Sequence, residues 1–155
     1  MCKALAHEKG LLVMGPDCGT AILGGVGLCF ANKMRQGSIG LAAASGTGLQ
    51  EVCVLIDKLG EGISQALGTG GRDLSAEIGG MMMLDCIDLL DADPDTKVIV
   101  VVSKPPVEEV ANKVRERLAH CSKPVVVCFI AGKRQDDALD ADEGAGMTFA
   151  SSLED

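Results

Sequence analysis

The sequence predicts an α/β fold in which a parallel sheet is covered by helices on both faces. Hydrophobic residues make up 47% of the 155-residue chain, 20 residues are glycine, and there is no Trp or Tyr. The core must therefore consist of small and branched aliphatic side chains, as in the near-continuous apolar strands of a parallel sheet. Apolar runs also alternate with amphipathic segments along the chain, which predicts βαβ crossovers in one domain.

The predicted strands are short apolar runs bounded by glycine, proline or polar residues. They cover residues 39–44, 63–67, 98–102 and 125–130, with a weaker fifth strand over 147–150. Helices are predicted between them over residues 48–59, 75–91 and 107–120, where apolar residues recur at helical spacing. Gly60 is placed to end the first of these helices, and Pro105 prevents the third strand from continuing.

The two ends of the chain do not follow this alternation. Residues 1–9 predict a helix, residues 11–14 a short strand, and the glycine-rich residues 15–37 an irregular linker. Because one helix and one strand cannot form a domain, residues 1–14 are interpreted as the end of a preceding domain. Residues 151–155 resemble a helix start with nothing after it, so we expect a domain over 38–155 that is truncated at its C-terminus.

Charge and cysteine usage exclude several classes of function. The formal net charge is −8, which argues against nucleic acid or an anionic membrane as partner. No apolar run is long enough to span a bilayer. The scattered cysteines form no C-x-x-C pair, so we expect reduced thiols, no metal site and a cytoplasmic location. They are Cys2, Cys18, Cys29, Cys53, Cys86, Cys121 and Cys128.

The turn between the first predicted strand and its helix is a candidate anion site. It consists of Ser45, Gly46, Thr47 and Gly48. A helix N-terminus has free backbone N–H groups and a partial positive charge, and glycine allows an anion to approach them closely. A phosphate or carboxylate is therefore predicted here. The alternative is a tight turn that binds nothing.

Topology places two further loops beside this turn. A flavodoxin-like three-layer sandwich with a five-stranded parallel sheet of order 2-1-3-4-5 opens a crevice at the carboxyl ends of strands 1 and 3. Gly70, Gly71 and Arg72 follow strand 2, and Lys104 follows strand 3. These residues join the predicted anion site. Alternatively, Arg72 pairs locally with Asp73 and Lys104 is simply solvated. No catalytic residue is assigned.

Three motifs resemble those of the α subunit of succinyl-CoA synthetase. They are GPDCGT at residues 15–20, SGT at residues 45–47 and GGRD at residues 70–73. Their order and spacing are more specific than any motif alone, and the resemblance covers most of residues 11–132. The longer strings SGTGLQE, GTGGRDLS and VVSKPP resemble the FdrA branch of acyl-CoA synthetases.

The resemblance implies a ligase domain that follows a CoA-binding Rossmann domain, with residues 1–14 as the remnant of the latter. In the synthetases the helix that begins at the SGT turn faces a phosphorylated histidine, which carries the phosphate site over to residues 45–48. Here no histidine lies in the matching loop at 131–137, and Lys104 occupies the position of the carboxylate that supports that histidine. Phosphohistidine catalysis is therefore not expected.

The predicted function is that of a ligase-type domain of an FdrA-like acyl-CoA synthetase, which binds a phosphate or an acyl or carbamoyl phosphate. The alternatives are a subunit domain of an oxamate carbamoyltransferase-type enzyme and a non-catalytic assembly or regulatory domain. The expected partners are a small phosphorylated or acyl substrate, the missing CoA-binding domain, and further copies or subunits in an oligomer. No cofactor is assigned to this chain, whereas CoA and phosphate or a nucleotide are expected of the full protein. The isolated chain is predicted to be inactive.

Overall fold

The computed structural model describes residues 2–130, 146–150 and 152–153, which form one seven-stranded sheet with helices on both faces. The strands are β1 (Thr20–Leu23), β2 (Val26–Cys29), β3 (Gln36–Ala43), β4 (Ile63–Gly68), β5 (Val98–Ser103), β6 (Val125–Phe129) and β7 (Met147–Ala150). The helices are α1 (Cys2–Glu8), α2 (Gly46–Lys58), α3 (Met81–Ala92) and α4 (Glu108–Ala119), with a 3-10 turn at Gly71–Leu74. Within the described residues, none of the helices is both long and apolar enough to cross a membrane.

The five strands predicted from the apolar runs are parallel, in the order β4-β3-β5-β6-β7. Successive side chains of a strand point to opposite faces, and β3 shows this alternation in its packing. Leu41 and Ala43 contact the apolar cluster that includes α2, whereas Ala42 contacts the cluster that includes α3 and α4. Both faces of the sheet are therefore covered, which gives the three-layer α/β arrangement.

The expectation of a five-stranded, wholly parallel sheet is wrong at one edge. The sheet has seven strands in the order β2-β1-β4-β3-β5-β6-β7, and β1 is antiparallel to both β2 and β4. Residues 20–29, expected to be irregular linker, therefore form a hairpin. Gly24 and Gly25 connect its strands with φ values of 55° and 81°, the positive values that a two-residue hairpin turn requires.

Two predicted elements also have different limits. Residues 11–14, expected to be a strand, belong to no strand. The helix predicted over 75–91 begins only at Met81, because Gly79 and Gly80 adopt φ values of 74° and 78°. These left-handed conformations interrupt an α-helix. The methionines at 81–83 therefore form the first turn of α3.

A buried carboxylate holds the start of α3. Asp73 is fully buried, and its side chain accepts hydrogen bonds from the backbone N–H groups of Met82 at 3.2 Å and Met83 at 2.8 Å. It also pairs with Lys3 Nζ at 2.8 Å. Lys3 Nζ donates a second bond to the carbonyl oxygen of Thr69 at 2.9 Å. This arrangement joins α1, the loop after β4 and the N-terminus of α3.

Asp73→Ala is expected to destabilise the protein by about 3–5 kcal/mol, because the buried ammonium of Lys3 loses its counter-charge. The double variant Lys3→Met, Asp73→Asn removes both charges and keeps an amide oxygen as acceptor for the α3 N–H groups. We expect it to recover part of the loss. Urea unfolding monitored by circular dichroism measures both effects. A loss below about 1 kcal/mol for Asp73→Ala would contradict the role given to this pair.

A second contact attaches α1 to α3. His7 Nδ1 lies 2.9 Å from the carboxylate of Asp85. The hydrogen bond to Asp85, together with its negative charge, raises the pKa of His7 above its ordinary value. Protonated His7 is therefore favoured by the folded state.

This contact should make part of the stability depend on pH. Because the folded pKa is raised, the stabilisation is fully present below about pH 6.5, the unfolded value. It is lost as the pH rises through the folded pKa. The difference in melting temperature between the wild type and His7→Gln should thus be largest near pH 5.5 and shrink toward pH 8.5. His120→Gln is the control, since His120 Nδ1 contacts only the Glu116 carbonyl oxygen among the described residues.

Candidate functional site

A cavity of about 350 Å³ lies at the carboxyl ends of β3 and β5, where the predicted crevice was placed. The sheet order reverses there, since β3 is followed in the chain by β4 on one side and later by β5 on the other. Loops after β3, β4 and β5 all contribute to its wall, together with Asp17 from the loop before β1. Its lining includes Ser45, Gly46, Thr47, Gly71, Ser75, Ser103 and Lys104.

The N-terminus of α2 forms one wall of the cavity. Ser45 is the N-cap in an extended conformation, and its Oγ accepts a hydrogen bond from the N–H of Gly48 at 3.2 Å. Gly46 and Thr47 are the first two residues of the helix. Their N–H groups have no acceptor within a helix, because such acceptors would lie before its first turn. The wall therefore includes two residues whose N–H groups have no partner within the helix.

Gly48 has a different structural role from these two donors. Its N–H is already bonded to Ser45, and it is buried. A Cβ atom on Gly48 would lie 2.9 Å from Ile130 Cδ1 and 3.2 Å from Val102 Cγ1. The absence of a side chain here allows α2 to pack closely on the sheet, and Gly48 does not line the cavity.

The glycine pair after β4 accommodates a carboxylate. Gly70 has a φ of 83°, and a Cβ atom on it would collide with Asp17 Oδ1. A Cβ atom on Gly71 would lie 3.4 Å from Asp17 Oδ2. Asp17 thus occupies the space beside the two glycines. Sequence reasoning missed Asp17 as a site residue, although it lies within the GPDCGT motif.

The two predicted cations are placed differently. Lys104 lines the cavity and is exposed, and among the described residues that line it Lys104 has the one cationic side chain. Arg72 is exposed and does not line it. The alternative in which Arg72 pairs with Asp73 is not observed, because the Asp73 carboxylate contacts Lys3. Of the predicted site residues, the cavity brings together Ser45, Gly46, Thr47, Gly71 and Lys104 and leaves out Gly48, Gly70 and Arg72.

Neither histidine lies at the cavity. His7 contacts Asp85 on α3, and His120 follows α4. The loop at 131–137 lies outside the described residues. Within the part of the chain that is described, no group of three or more His, Cys, Asp or Glu residues could hold a metal ion. The described residues that line the cavity include no histidine that could be phosphorylated.

The cysteines of the described chain are all free thiols. Burial raises the pKa of Cys53 to about 11 and that of Cys86 to about 12. Because the thiolate is the reactive form, these two residues are inert at neutral pH. They contribute to the core.

Residues 34–132 match the sequence profile of the family described as "CoA binding domain". The chain belongs to this family. The match covers β3 to β6, the part of the chain whose loops form the cavity. The sequence interpretation had placed CoA binding in a domain before residue 15, and that division into domains stays a prediction.

Relatives within the family are similar over most of this chain. The uncharacterized protein YahF of Escherichia coli is 62% identical over 83% of the chain and 25% of its own length. The α 1 subunit of an ADP-forming succinate–CoA ligase of Archaeoglobus fulgidus is 32% identical over 82% of the chain and 43% of its own length. The α subunit of a malate–CoA ligase of Methylorubrum extorquens is 30% identical over 94% and 47%. The chain thus spans a quarter to about half the length of these relatives.

Solved structures share the fold. The dinucleotide-forming acetyl-coenzyme A synthetase 1 of Ca. Korarchaeum cryptofilum superposes with a TM-score of 0.68 at 20% identity, over 96% of this chain and 35% of that one. The protein PH0766 of Pyrococcus horikoshii gives a TM-score of 0.66 at 18% identity, over 96% and 33%. The resemblance to succinyl-CoA synthetase α subunits is confirmed. The assignment to the FdrA branch stays a prediction.

The contact between Gly70 and Asp17 can be tested by a double-mutant cycle. Gly70→Ala is expected to cost about 1–3 kcal/mol for the backbone alone, because φ 83° with ψ 147° is a conformation essentially restricted to glycine, and more because its methyl group would displace the carboxylate of Asp17. In an Asp17→Ala background the cost should fall by at least about 0.5 kcal/mol. Urea unfolding of the four proteins measures the coupling. Additive effects would show that Asp17 is not held against Gly70.

Proposed function

We propose that this chain is the ligase-type domain of an acyl-CoA synthetase and that it binds a phosphate or an acyl phosphate at the first turn of α2. One observation carries the proposal: Gly46 and Thr47, the first two residues of α2, line the same cavity as Lys104. Together they supply directed hydrogen bonds and a positive charge. A structural relative, the acetyl-coenzyme A synthetase of Ca. Korarchaeum cryptofilum, was solved in complex with phosphate and ADP, which supports an anion of this kind.

The proposed chemistry is stabilisation of charge rather than formation of a phosphohistidine. When a thiol attacks the carbonyl carbon of an acyl phosphate, the carbon–oxygen bond to phosphate breaks. The phosphate leaves with the bonding electrons, and the thiol proton is released to solvent. Donors at Gly46 and Thr47 would stabilise the departing phosphate, and Lys104 would neutralise part of its charge. CoA is the expected thiol, and the full protein is expected to provide the rest of the site.

The backbone donor can be removed without changing the local backbone. Gly46 is the first residue of α2, a position that favours proline. Ser45 before it has φ −122° and ψ 111°, an extended conformation that proline tolerates in its neighbour. A Cβ atom on Gly46 would meet Cys18 Sγ at 3.5 Å, an ordinary contact. Gly46→Pro therefore removes one N–H group, and Gly46→Ala retains it with a comparable side-chain contact.

We expect inorganic phosphate to bind Gly46→Pro about ten-fold more weakly than Gly46→Ala, the effect of one hydrogen bond to a charged group. Lys104→Ala should weaken binding several-fold. Titration of ¹⁵N-labelled protein, followed at the Thr47 amide, measures the dissociation constants. Chloride at matched ionic strength is the control for general salt effects.

Two outcomes would contradict the proposal. One is the absence of saturable phosphate binding by the wild type at tens of millimolar, in solutions where chloride has no effect. The other is equal binding by Gly46→Pro and Gly46→Ala. Either outcome would indicate that the first turn of α2 is only a structural turn, and the non-catalytic interpretation of the domain would then be preferred.

A further inference from the structure

We infer that α1 is a strap on the wall of the cavity: when α1 detaches, Lys3 leaves Asp73, and the loop after β4 loosens at the same time. None of the described lining residues belongs to α1, so the strap acts on the cavity without forming part of it. A group that displaces α1 would thus change the cavity from a distance. This coupling does not depend on what the cavity binds, and therefore not on the proposed phosphate site.

Few apolar contacts hold α1 in place. Two of its seven residues, Lys3 and Ala6, are buried, and the other five are exposed. Two ion pairs attach the helix to the rest of the chain, Lys3 with Asp73 at 2.8 Å and His7 with Asp85 at 2.9 Å. Segments with few buried apolar contacts open at a lower free energy than the whole domain. We therefore expect α1 to open locally.

The opening of α1 removes the cation from a buried carboxylate. Asp73 is fully buried, and among the described residues Lys3 is its one ion-pair partner. Loss of one partner of a buried ion pair leaves an uncompensated charge, which is strongly unfavourable. The carboxylate regains a favourable environment only if its loop moves and admits water. Lys3 also releases the carbonyl oxygen of Thr69, at the start of this loop.

The loop that contains Asp73 forms one wall of the cavity. Gly71 and Ser75 lie on either side of Asp73 in the chain, and both line the cavity. The backbone of Asp73 holds the loop in shape, since its N–H group donates to the carbonyl oxygen of Gly70 at 3.1 Å. Its own carbonyl oxygen accepts from the N–H group of Gly80 at 2.8 Å. Movement of Asp73 toward water would disturb these contacts, and the cavity wall would move with them.

Amide hydrogen exchange of the 155-residue chain, followed by ¹⁵N NMR, tests whether α1 and the loop open together. The N–H group of Leu11 reports on α1, because it donates to the carbonyl oxygen of Ala6 at 2.9 Å. The N–H group of Met83 reports on the loop, because it donates to the carboxylate of Asp73 at 2.8 Å.

Ala6→Gly should open α1 more often, because glycine lowers the stability of a helix. We expect exchange at Leu11 and Met83 to accelerate together by about five-fold, the effect of one such substitution. The N–H group of Ala44, which bonds across to β5 at 2.9 Å, should keep its exchange rate. Ala111→Gly is the control, since Ala111 of α4 is 5% exposed and Ala6 is 6% exposed. It should leave exchange at Leu11 and Met83 unchanged.

Three results with Ala6→Gly would overturn the inference. Acceleration at Leu11 without any at Met83 would show that α1 opens alone. No acceleration at either residue would show that α1 does not open locally. Equal acceleration at Ala44 would show that all three amides exchange only when the whole domain unfolds.

A second background tests whether the ion pair transmits the opening. The double variant Lys3→Met, Asp73→Asn removes both charges but keeps an amide oxygen beside the N–H group of Met83. In this background Ala6→Gly should no longer change the exchange rate of Met83. A continued acceleration would show that the loop responds to α1 by another route, and the role given to Lys3 and Asp73 would be refuted.

Discussion

The buried carboxylate of Asp73 makes the contacts that position the loop after β4, and this loop forms part of the cavity wall. It joins Lys3 of α1 to the first turn of α3, and Lys3 in turn bonds to the carbonyl oxygen of Thr69, just before the glycine pair. Two buried charges are tolerated only where each keeps good partners. The positions of α1, α3 and the loop after β4 are therefore linked through one group. Lys3 and Asp73 thus hold the loop that carries Gly70 and Gly71, and Asp17 lies against this loop.

The core strands could be predicted because they are buried on both faces. Residues such as Leu41 and Val101 belong to continuous apolar runs, and such runs are characteristic of central parallel strands. The hairpin could not be predicted in this way. All four residues of β2 are exposed, so no burial pattern marks it as a strand. The start of α3 was misplaced for another reason: residues 75–78 are compatible with a helix, but Gly79 and Gly80 adopt positive φ values and separate them from α3.

The location of the cavity followed from topology, whereas the roles of the glycines around it did not. The turn at 45–48 does lie where the strand order reverses, beside Lys104. A glycine, however, allows a close approach by any group, and the sequence does not say which group approaches. At Gly48 it is the side chains of Ile130 and Val102, and at Gly70 it is the carboxylate of Asp17. Contacts between residues so distant in the sequence are visible only in the folded chain.

The net charge of the chain affects how an anion could reach the proposed phosphate site. With a formal net charge of −8, the long-range field of the chain opposes the approach of any anion. At the proposed phosphate site, affinity would therefore have to come from groups in direct contact, namely the N–H groups of Gly46 and Thr47 and the ammonium group of Lys104. Salt screens charges separated by more than about 10 Å at 0.1 M, while short hydrogen bonds are much less affected. Moderate salt should thus weaken the opposing field more than the short-range contacts of the proposed phosphate site.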